Sequence, residues 1–593
     1  MRATAQPDAP LPGIDFIAEA EHCPVCAGAV WVQKSKQRLV VTAEAGAFLA
    51  REVRKRCATD KTHPVMVSDR LLRLVPPRQA YGYDLIVQVG LARYLGNLQR
   101  QEIRAELLGA QGIVLSEGSI SQLCDRFLTL LQRLHEQRTP ALRTAMSGGY
   151  PLHIDATSEH GKGGLFICLD GWRGWVLNAV KIHSENADEL RPCVEQTLEH
   201  FGDPVAVVRD LSGAEAGAVE RLRHKGIVDL VCHYHFLGAI GKKLFDDPYA
   251  VLRNLLRQSQ VRTQLRELLR ELRRDTQVEI YQGKYGHGRL REDLLALVYW
   301  LLEGQGQKDL PYPFSLPHLD FYQRCQQMTQ RAEHWLPWPR SPVERRVLKQ
   351  LAKLLAQFDA LPRLRWAVPK LEKGWQAFSE LRDILRLTDA ELPRGDLRYL
   401  STREFPELEM ARLRDIEKAT QLYHEQIRQR VRNHQGLSSS ETVILNYLDR
   451  YVKHLFGHPA RRDPDGNIIA VVERTNNVAE HFFGADKQKL RRRLGRANLA
   501  RDLEDQPAQA VLAANLHHAD YVRVLCGSLE HLPIAFAELD QASRPDATPL
   551  QRSNRDTRLR KRVKALVKDE QLPNNHSIIE RKIPQPGTTS TEI

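Results

Sequence analysis

The sequence predicts an α/β fold with a mixed five-stranded sheet, and three observations lead to this prediction. Three short β-rich runs follow one another with tight turns between them, which is the pattern of an antiparallel meander. A near-continuous apolar run follows, as expected for a strand buried on both faces. Amphipathic segments flank that strand, so the predicted order is βββαβαβ. The predicted elements are strands 152–157, 164–169 and 174–182, a helix over 186–201, a strand over 205–210, a helix over 212–226 and a strand over 228–231.

Length and charge limit the classes of protein to be considered. A chain of 593 residues is too long for one hydrophobic core and predicts roughly three to four domains. Lys and Arg number 86 against 73 Asp and Glu, and the net charge of +13 favours a polyanionic partner, although many basic proteins bind none. The longest apolar run, 294–302, is too short to span a bilayer, and the start lacks a signal-peptide pattern. Nine cysteines without a disulfide-like spacing favour a reducing cytoplasm.

The amino-terminal region contains four candidate zinc ligands. Cys23 and Cys26 form a Cys-x-x-Cys turn, and Cys57 and His63 follow a β-like segment. Two soft ligands on one turn and two on a second suit tetrahedral zinc, so we expect a small zinc ribbon here. The alternative is a pair of reduced cysteines in a turn, with His63 on the surface. A redox-active pair is disfavoured because no βαβ pattern surrounds it.

The next region is predicted to be helical. One helix covers 101–108 and ends at Gly109 and Gly112, and Ser119 is predicted to open a second helix through a capping box with Gln122. Apolar residues at helical spacing mark the buried face of the second helix: Leu123, Phe127, Leu128, Leu131 and Leu134. Two helices joined by a short Gly-containing turn indicate either a DNA-reading helix-turn-helix or a helical hairpin that only packs.

Two carboxylates occupy corresponding places in the predicted sheet, and a third lies far along the chain. Asp155 is on the first strand and Asp210 ends the fourth, while Glu480 precedes a strongly basic helix over 481–493. Two carboxylates on adjacent strands and one on a facing helix can hold two divalent ions for an in-line phosphoryl displacement. Hard oxygen ligands favour Mg²⁺ or Mn²⁺ over zinc at such a site.

The order of these residues resembles that of bacterial insertion-sequence transposases of the DDE type. The matching elements are Asp155, Asp210, Cys232-x-x-His235 and Asn476-Asn477-x-x-Glu480 followed by basic residues. The resemblance covers most of the chain and implies a ribonuclease H-like core, interrupted by a large all-α insertion before the Glu. It also includes the zinc-ribbon-like knuckle and the helix-turn-helix at the front. The knuckle departs from the pattern, because its fourth cysteine is replaced by His63 or is absent.

The resemblance implies a role for each matching residue. Asp155, Asp210 and Glu480 would be the catalytic ligands of two Mg²⁺ or Mn²⁺ ions. Cys232 and His235 would support the site or the transposon end; the alternative is that they are two partly buried side chains after a strand. The remaining implied roles are site support by Asn476 and Asn477, and DNA binding by Lys487, Lys489, Arg491, Arg492 and Arg493. The expected partners are double-stranded DNA, at the transposon ends and the target, and other copies of the chain on that DNA; the expected location is the nucleoid in the cytoplasm, with no membrane.

Glu480 also has a purely structural interpretation. Asn477 could be the N-cap of the basic helix, with Glu480 reaching back to its backbone N–H, which would make Glu480 a cap worth about 1 kcal/mol. Glu473, seven residues earlier, would then be the third acid. We prefer Glu480 because it lies on the helix beside the basic residues.

The predicted function is a DNA transposase that frees 3′-hydroxyls at its element's ends and joins them to target DNA. Two alternatives remain: a nuclease of the same fold that cuts without joining, and a non-catalytic DNA-binding protein derived from a transposase. The predicted domains are a knuckle over 1–75, a helix-turn-helix over 76–145, a core over 146–246, an insertion over 247–436, the second part of the core over 437–541 and a basic, disordered or DNA-folded tail over 542–593.

Overall fold

The chain forms two compact units in the computed structural model. One unit contains Met1–His135 and Cys526–Ile593, and the other contains Glu136–Leu525. Within the described part of the chain, no helix has the length and apolar character needed to cross a membrane. The predicted tail lies almost wholly outside the described residues. Those residues are 11–158, 164–281, 289–304, 310–336, 342–387, 406–433 and 436–542.

The first unit begins with a small sheet followed by helices. Its elements are β1 (Gly13–Ile17), β2 (Val30–Thr42), β3 (Gly46–Cys57), α1 (Asp69–Leu74), α2 (Tyr83–Tyr94), α3 (Arg100–Gln111) and α4 (Glu117–Ala145). Strand β3 is central, with β1 parallel to it and β2 antiparallel to it. The β2–β3 hairpin is buried near its turn, where Val40 and Phe48 join the core of the unit. Its other end leaves Trp31 and Val32 about half exposed.

The two helix boundaries predicted in this region were wrong by a few residues. Helix α3 continues past Gly109 and ends at Gly112, whose φ of +64° gives the left-handed cap. Helix α4 begins before Ser119, because Ser116 Oγ accepts the backbone N–H of Ser119 at 3.1 Å. Two serines three residues apart both fit a cap, and the earlier one is used. The predicted apolar face of α4 is buried along its whole length.

The predicted five-stranded mixed sheet is confirmed, and it organises the second unit. Strand β4 is central and pairs with β5 antiparallel and β7 parallel. The order across the sheet is β6-β5-β4-β7-β8. The predicted helix over 212–226 is two short helices that meet at Val219. The elements are β4 (Pro151–Thr157), β5 (Gly164–Asp170), β6 (Trp175–Ile182), α5 (Ala187–Phe201), β7 (Ala206–Arg209), α6 (Gly213–Ala218), α7 (Glu220–Arg223) and β8 (Val228–Val231).

In the described residues between β8 and β9 (Ala460–Arg462), eight helices share one large apolar core. They are α8 (His233–Gln258), α9 (Val261–Tyr281), α10 (Arg289–Glu303), α11 (Pro317–Trp335), α12 (Pro342–Asp359), α13 (Leu364–Ile384), α14 (Pro406–Arg432) and α15 (Ser439–Leu455). Helix α8 starts directly after β8 and runs through the predicted domain boundary at 247. That core includes Val231 of the sheet as well as residues of the helices. The helices are therefore continuous in packing with the sheet.

The chain then returns to the sheet. It forms β9 (Ala460–Arg462), β10 (Ile468–Val471), α16 (Asn477–Leu494), α17 (Ala500–Asp505), a 3-10 helix (Ala508–His517), α18 (Ala519–Cys526), a second 3-10 helix (Leu529–His531) and α19 (Leu532–Ala542). The side chain of Asn515 binds both backbone groups of Val176 on β6 and so extends the edge of the sheet. In the first unit, Asp540 of α19 accepts hydrogen bonds from Arg126 and Arg133 of α4.

Candidate metal centres

Two short turns bring the four predicted zinc ligands together. The first turn is closed by the backbone N–H of Ala27, which donates to the Cys23 carbonyl at 2.8 Å. It presents Cys23 and Cys26 on the same side. Cys57 ends β3, and the backbone N–H of Asp60 donates to its Sγ at 3.4 Å. His63 follows in the same turn region, so the ring reaches the cysteines.

The four side chains have the spacing and chemistry of a structural zinc site. Cys23 Sγ lies 3.3 Å from Nδ1 of His63, and Cys26 Sγ lies 3.5 Å from Cys57 Sγ. All four ligand atoms lie within 4.8 Å of one another. Bonds of about 2.0–2.3 Å to a tetrahedral ion would place its ligands at comparable separations. The Asp60 N–H, followed by His63, lowers the pKa of Cys57 to about 6, which favours the thiolate that binds metal. The predicted set therefore forms a Cys3His group that is compatible with zinc.

A second cluster is built where β4 and β7 run side by side. These strands are parallel, with His153 paired to Val208. Continuing that register by two residues sets Asp155 level with Asp210, which directly follows β7. The first turns of α8 and α16 add His235 and Glu480. The side chains predicted from distant parts of the sequence therefore converge.

His235 contacts two of the acids directly. Its Nδ1 lies 2.7 Å from Oδ1 of Asp210 and 3.5 Å from Oε1 of Glu480. All three atoms are buried, yet none has an aligned hydrogen-bond partner among the described residues. Burial alone would lower the pKa of His235, but Asp210 and then Cys232 raise it to about 12. The neighbouring acid thus favours the protonated ring, whose charge opposes the negative charge of the cluster.

Asp155 belongs to the same electrostatic group. Burial, and then the charge of Asp210, raise its pKa to about 8, with a smaller contribution from Glu480 and an opposing one from His235. Burial followed by Asp210 also outweighs the opposing effect of His235 and raises the pKa of Glu480. The carboxylates are thus crowded enough to disfavour one another's ionisation.

Glu215 is a fourth acid that the sequence interpretation missed. It is 1% exposed, and its Oε2 accepts the backbone N–H of Asp210 at 2.8 Å. Burial, then Asp210 and Asp155, raise its pKa well above the ordinary value. Ser212 and Glu215 have the spacing of a helix capping box, but Ser212 makes no side-chain cap bond. A Glu five residues after a predicted catalytic Asp, in the first turn of the next helix, was the available signal.

Asn476 joins three parts of the site. Its side chain donates to the Ile154 carbonyl at 2.9 Å and lies 3.0 Å from Nδ1 of His153, both on β4. Its backbone N–H donates to Cys232 Sγ at 3.3 Å. Asn476 and Cys232 are completely buried. Their contacts fix the starts of α8 and α16 relative to β4, and these elements carry the cluster. Asn477 is the first residue of α16 and is partly exposed.

The capping interpretation of Glu480 was wrong. The N-cap of α16 is Asn476 rather than Asn477, and no side chain makes the cap bond. The backbone N–H of Glu480 donates to the Asn476 carbonyl at 3.1 Å, so Glu480 lies within the first turn with its carboxylate toward His235. Glu473 lies earlier, in the segment between β10 and α16.

The basic residues predicted to bind DNA follow Glu480 on the same helix. Arg491 and Arg492 are exposed, and Lys487, Lys489 and Arg493 are partly buried. Nζ of Lys487 donates to the carbonyl of Ser158, just beyond β4, at 3.4 Å. The helix therefore extends a positively charged surface away from the acids.

The donor atoms of the second cluster indicate which kind of ion it suits. The ligand atoms of Asp210, Cys232 and His235 lie within 4.8 Å of one another. The carboxylate oxygens of Asp155, Asp210 and Glu480 add donors that prefer hard cations. Neither a scan against protein-family models nor a search of curated proteins finds a match to this chain.

Proposed function

We propose that this protein is an insertion-sequence DNA transposase whose catalytic core is ribonuclease H-like. The observation that carries the proposal is the meeting of Asp155, Asp210 and Glu480 around His235. The hydrogen bond between His153 and Asn476, which are 323 residues apart, indicates how far along the chain these elements lie. A cluster of one buried and three partly buried acids is costly unless a cation compensates it, which favours a catalytic role over a structural one.

The sheet supports the ribonuclease H-like assignment. In chain order its strands lie third, second, first, fourth and fifth, and β5 alone is antiparallel to the central strand. Both aspartates lie on or directly after the two neighbouring strands at the centre. The third acid arrives on α16, which contacts β4. Each of these features agrees with the topology that the resemblance implies.

The residues fit a pair of divalent cations. Carboxylates of Asp155, Asp210 and Glu480 would hold them, and the buried oxygens of Asp210 and Glu480 lack aligned partners among the described residues. Bound Mg²⁺ or Mn²⁺ would activate a water or a 3′-hydroxyl and stabilise the leaving oxygen of an in-line displacement. Cationic charge would also favour the ionised form of Asp155, whose pKa is raised by burial and by Asp210.

The protein's own side chains would orient the acids. His235 holds Asp210 and Glu480 at fixed separations, and Glu215 fixes the backbone of Asp210. Asn476 ties the start of α16 to β4. Together these contacts keep the three acids in one arrangement before DNA binds, which reduces the reorganisation needed in the transition state.

Two basic surfaces suit DNA as the partner. One is the exposed end of α16, with Arg491 and Arg492. The other is the outer half of the β2–β3 hairpin, where Trp31 pairs with Arg56 and Lys34 pairs with Arg54 across the strands. Directly opposed residues share a face of the ribbon, and a two-stranded ribbon fits the major groove. The hairpin ends at the Cys3His group.

The test uses the full chain and the DNA that flanks its gene. Inverted repeats bordered by short direct repeats should be found there, and duplexes carrying those repeats are the substrate. We expect Mg²⁺-dependent nicking that frees 3′-hydroxyls, followed by joining to a target duplex. Cleavage without joining would identify a nuclease of the same fold. DNA binding without metal-dependent cleavage would identify a non-catalytic DNA-binding protein.

A further inference from the structure

The segment that leads into α16 contains a buried arginine. Arg474 lies between β10 and α16 and is 2% exposed. Its Nη1 donates to the carbonyl of Leu385, and its Nη2 donates to the carbonyl of Arg386 at 2.9 Å. Leu385 is the C-cap of α13, so the guanidinium binds the end of a helix where carbonyls carry partial negative charge.

The end of α13 has a second unusual feature. Arg386 has a φ of +48°, a left-handed conformation that costs a non-glycine residue about 1 kcal/mol or more. The conformation lets the backbone N–H of Leu387 bond back to the Arg382 carbonyl at 3.2 Å. It also directs the Arg386 carbonyl to Arg474. The backbone strain is thus associated with the contact to the segment before α16.

Helix α14 supplies a buried charge to the same place. Glu409 is 2% exposed, and its Oε2 has no hydrogen-bond partner among the described residues. Burial raises the pKa of Glu409, while the nearby Arg474 opposes that rise. Arg474 therefore compensates a carboxylate of α14 and the carbonyls of α13 at once.

The same short segment also contacts both helices that bear site residues. The Arg474 carbonyl accepts the backbone N–H of His233, the first residue of α8, at 2.9 Å. Two residues later, the Asn476 carbonyl accepts the backbone N–H of Glu480 at 3.1 Å. Residues 474–476 are all buried, so they have little freedom to move independently. A displacement of Arg474 would therefore move the start of α8, which carries His235, and the start of α16, which carries Glu480.

We infer that Arg474 is a positioning residue through which the helices between β8 and β9 set the place of Glu480. The inference rests on the proposed function in that Glu480 is taken as a site acid. On this inference, the helices between β8 and β9 do more than separate the two parts of the sheet region in the sequence. Helices α13 and α14 hold Glu480 in position against the sheet. Loss of the contact should let the first turn of α16 open locally while the sheet stays folded.

The experiment compares Arg474→Met with Arg324→Met in the full chain. Arg324 is a matched control, because its guanidinium also donates to a carbonyl near the end of a helix, Leu301 of α10, at 3.3 Å. Two quantities are measured: hydrogen exchange of the backbone amides in the first turn of α16, and the Mg²⁺ concentration that half-saturates DNA cleavage. Arg474→Met should raise both by about tenfold, a coupling of about 1.4 kcal/mol. Arg324→Met should leave both unchanged.

A second variant separates positioning from stability. Arg474→Met leaves Glu409 buried without its cation, so adding Glu409→Leu should recover melting temperature. Exchange in α16 and the Mg²⁺ requirement should stay altered, because the carbonyls of α13 remain unbound. Recovery of both with the melting temperature would overturn the inference, as would normal exchange in Arg474→Met. If Arg474→Met does not fold, the same two measurements are made on Arg474→Lys, which keeps the positive charge but loses the paired hydrogen bonds of the guanidinium.

The two proposals fail in different ways. If the wild-type chain shows no metal-dependent cleavage, the proposed function fails, and the exchange comparison still decides the role of Arg474. If the wild type cleaves DNA and Arg474→Met matches it in both measurements, only the positioning role is wrong.

Discussion

The two candidate metal centres are built in opposite ways. The Cys3His group uses residues within one short stretch, and Cys23 and His63 are 40 positions apart. The carboxylate cluster takes Asp155 from β4 and Glu480 from α16, which are separated by the helices α5 to α15 among the described residues. The turns of the first group are held by local hydrogen bonds, whereas the second centre is braced by a sheet, by Asn476 and by Arg474. We therefore expect the first centre to need its metal in order to fold, and the second centre to keep its fold when the metal is removed.

The largest expected effect is the loss of chemistry without loss of fold. Asp155→Asn, Asp210→Asn and Glu480→Gln should each lower Mg²⁺-dependent cleavage by about a thousandfold or more, because a metal ligand contributes several kcal/mol to the transition state. DNA affinity should persist, and none of the three variants should lower the melting temperature. End cleavage and gel-shift assays measure these quantities.

Glu473→Gln is the matched control for Glu480→Gln. It should remain active, since the Glu480 carboxylate is the one that approaches His235. A dead Glu473→Gln beside an active Glu480→Gln would move the third acid into the segment before α16.

Removal of zinc should have the opposite result. Cys57→Ser, or a strong chelator, should release one equivalent of zinc and open the knuckle, because metal binding and folding are coupled in such small sites. Limited proteolysis should then cleave residues 11–75 faster, while the second unit keeps its melting transition. Elemental analysis of reduced wild-type protein supplies the stoichiometry. Two results would contradict this distinction between the centres. One is wild-type protein without stoichiometric zinc, and the other is a knuckle that resists proteolysis equally well in Cys57→Ser and in the wild type.

The carboxylate cluster should make the metal-free fold sensitive to pH. Burial and Asp210 raise the pKa of Asp155 to about 8, against about 3.9 in an unfolded chain. Between these values the folded state holds a proton that the unfolded state releases, so stability falls as pH rises through this window. Asp155→Asn should remove that loss, on the order of 2–5 kcal/mol at pH 8.

Thermal unfolding in chelator at pH 5 and pH 8 measures this effect. The melting temperature of Asp155→Asn should exceed that of the wild type by a margin that grows toward pH 8. Mg²⁺ should reduce this margin, because it stabilises the wild type. If the melting temperatures of wild type and variant changed with pH in parallel, the pKa of Asp155 would not be raised in the folded state.

The smallest expected effect distinguishes the two basic surfaces. Replacing Arg491 and Arg492 with Gln should weaken binding to any duplex and reduce the slope of log K against log salt by about 1–2. Replacing Lys34 and Arg54, on the hairpin beside the Cys3His group, should lower the preference for the terminal repeats. Fluorescence titrations at several salt concentrations, with repeat and scrambled duplexes, measure both. An equal loss on both duplexes for the hairpin variant would remove the hairpin from end recognition.

The sequence by itself determined the local elements. Strand and turn signals span only a few residues, so the meander β4–β6 was predicted from them. The helix predicted over 186–201 is α5, which begins after its N-cap Asn186 and ends at Phe201. The Cys3His set was also visible, because its four ligands lie on two nearby turns. Local signals failed where two polar residues compete for one role, as Ser116 and Ser119 do at the start of α4.

Only the tertiary structure decided how distant residues combine. Glu215 has the sequence context of a cap, and only the approach of its Oε2 to the Asp210 backbone makes it part of the acid cluster. The start of α16 was misassigned by one residue. Asn476 forms hydrogen bonds with β4 and with Cys232, and no local sequence pattern indicates these contacts. Arg474 is one of many arginines in the sequence. Its burial against the end of α13 depends on packing among elements far apart in the chain, and the free energy of such contacts exists only once the core has formed.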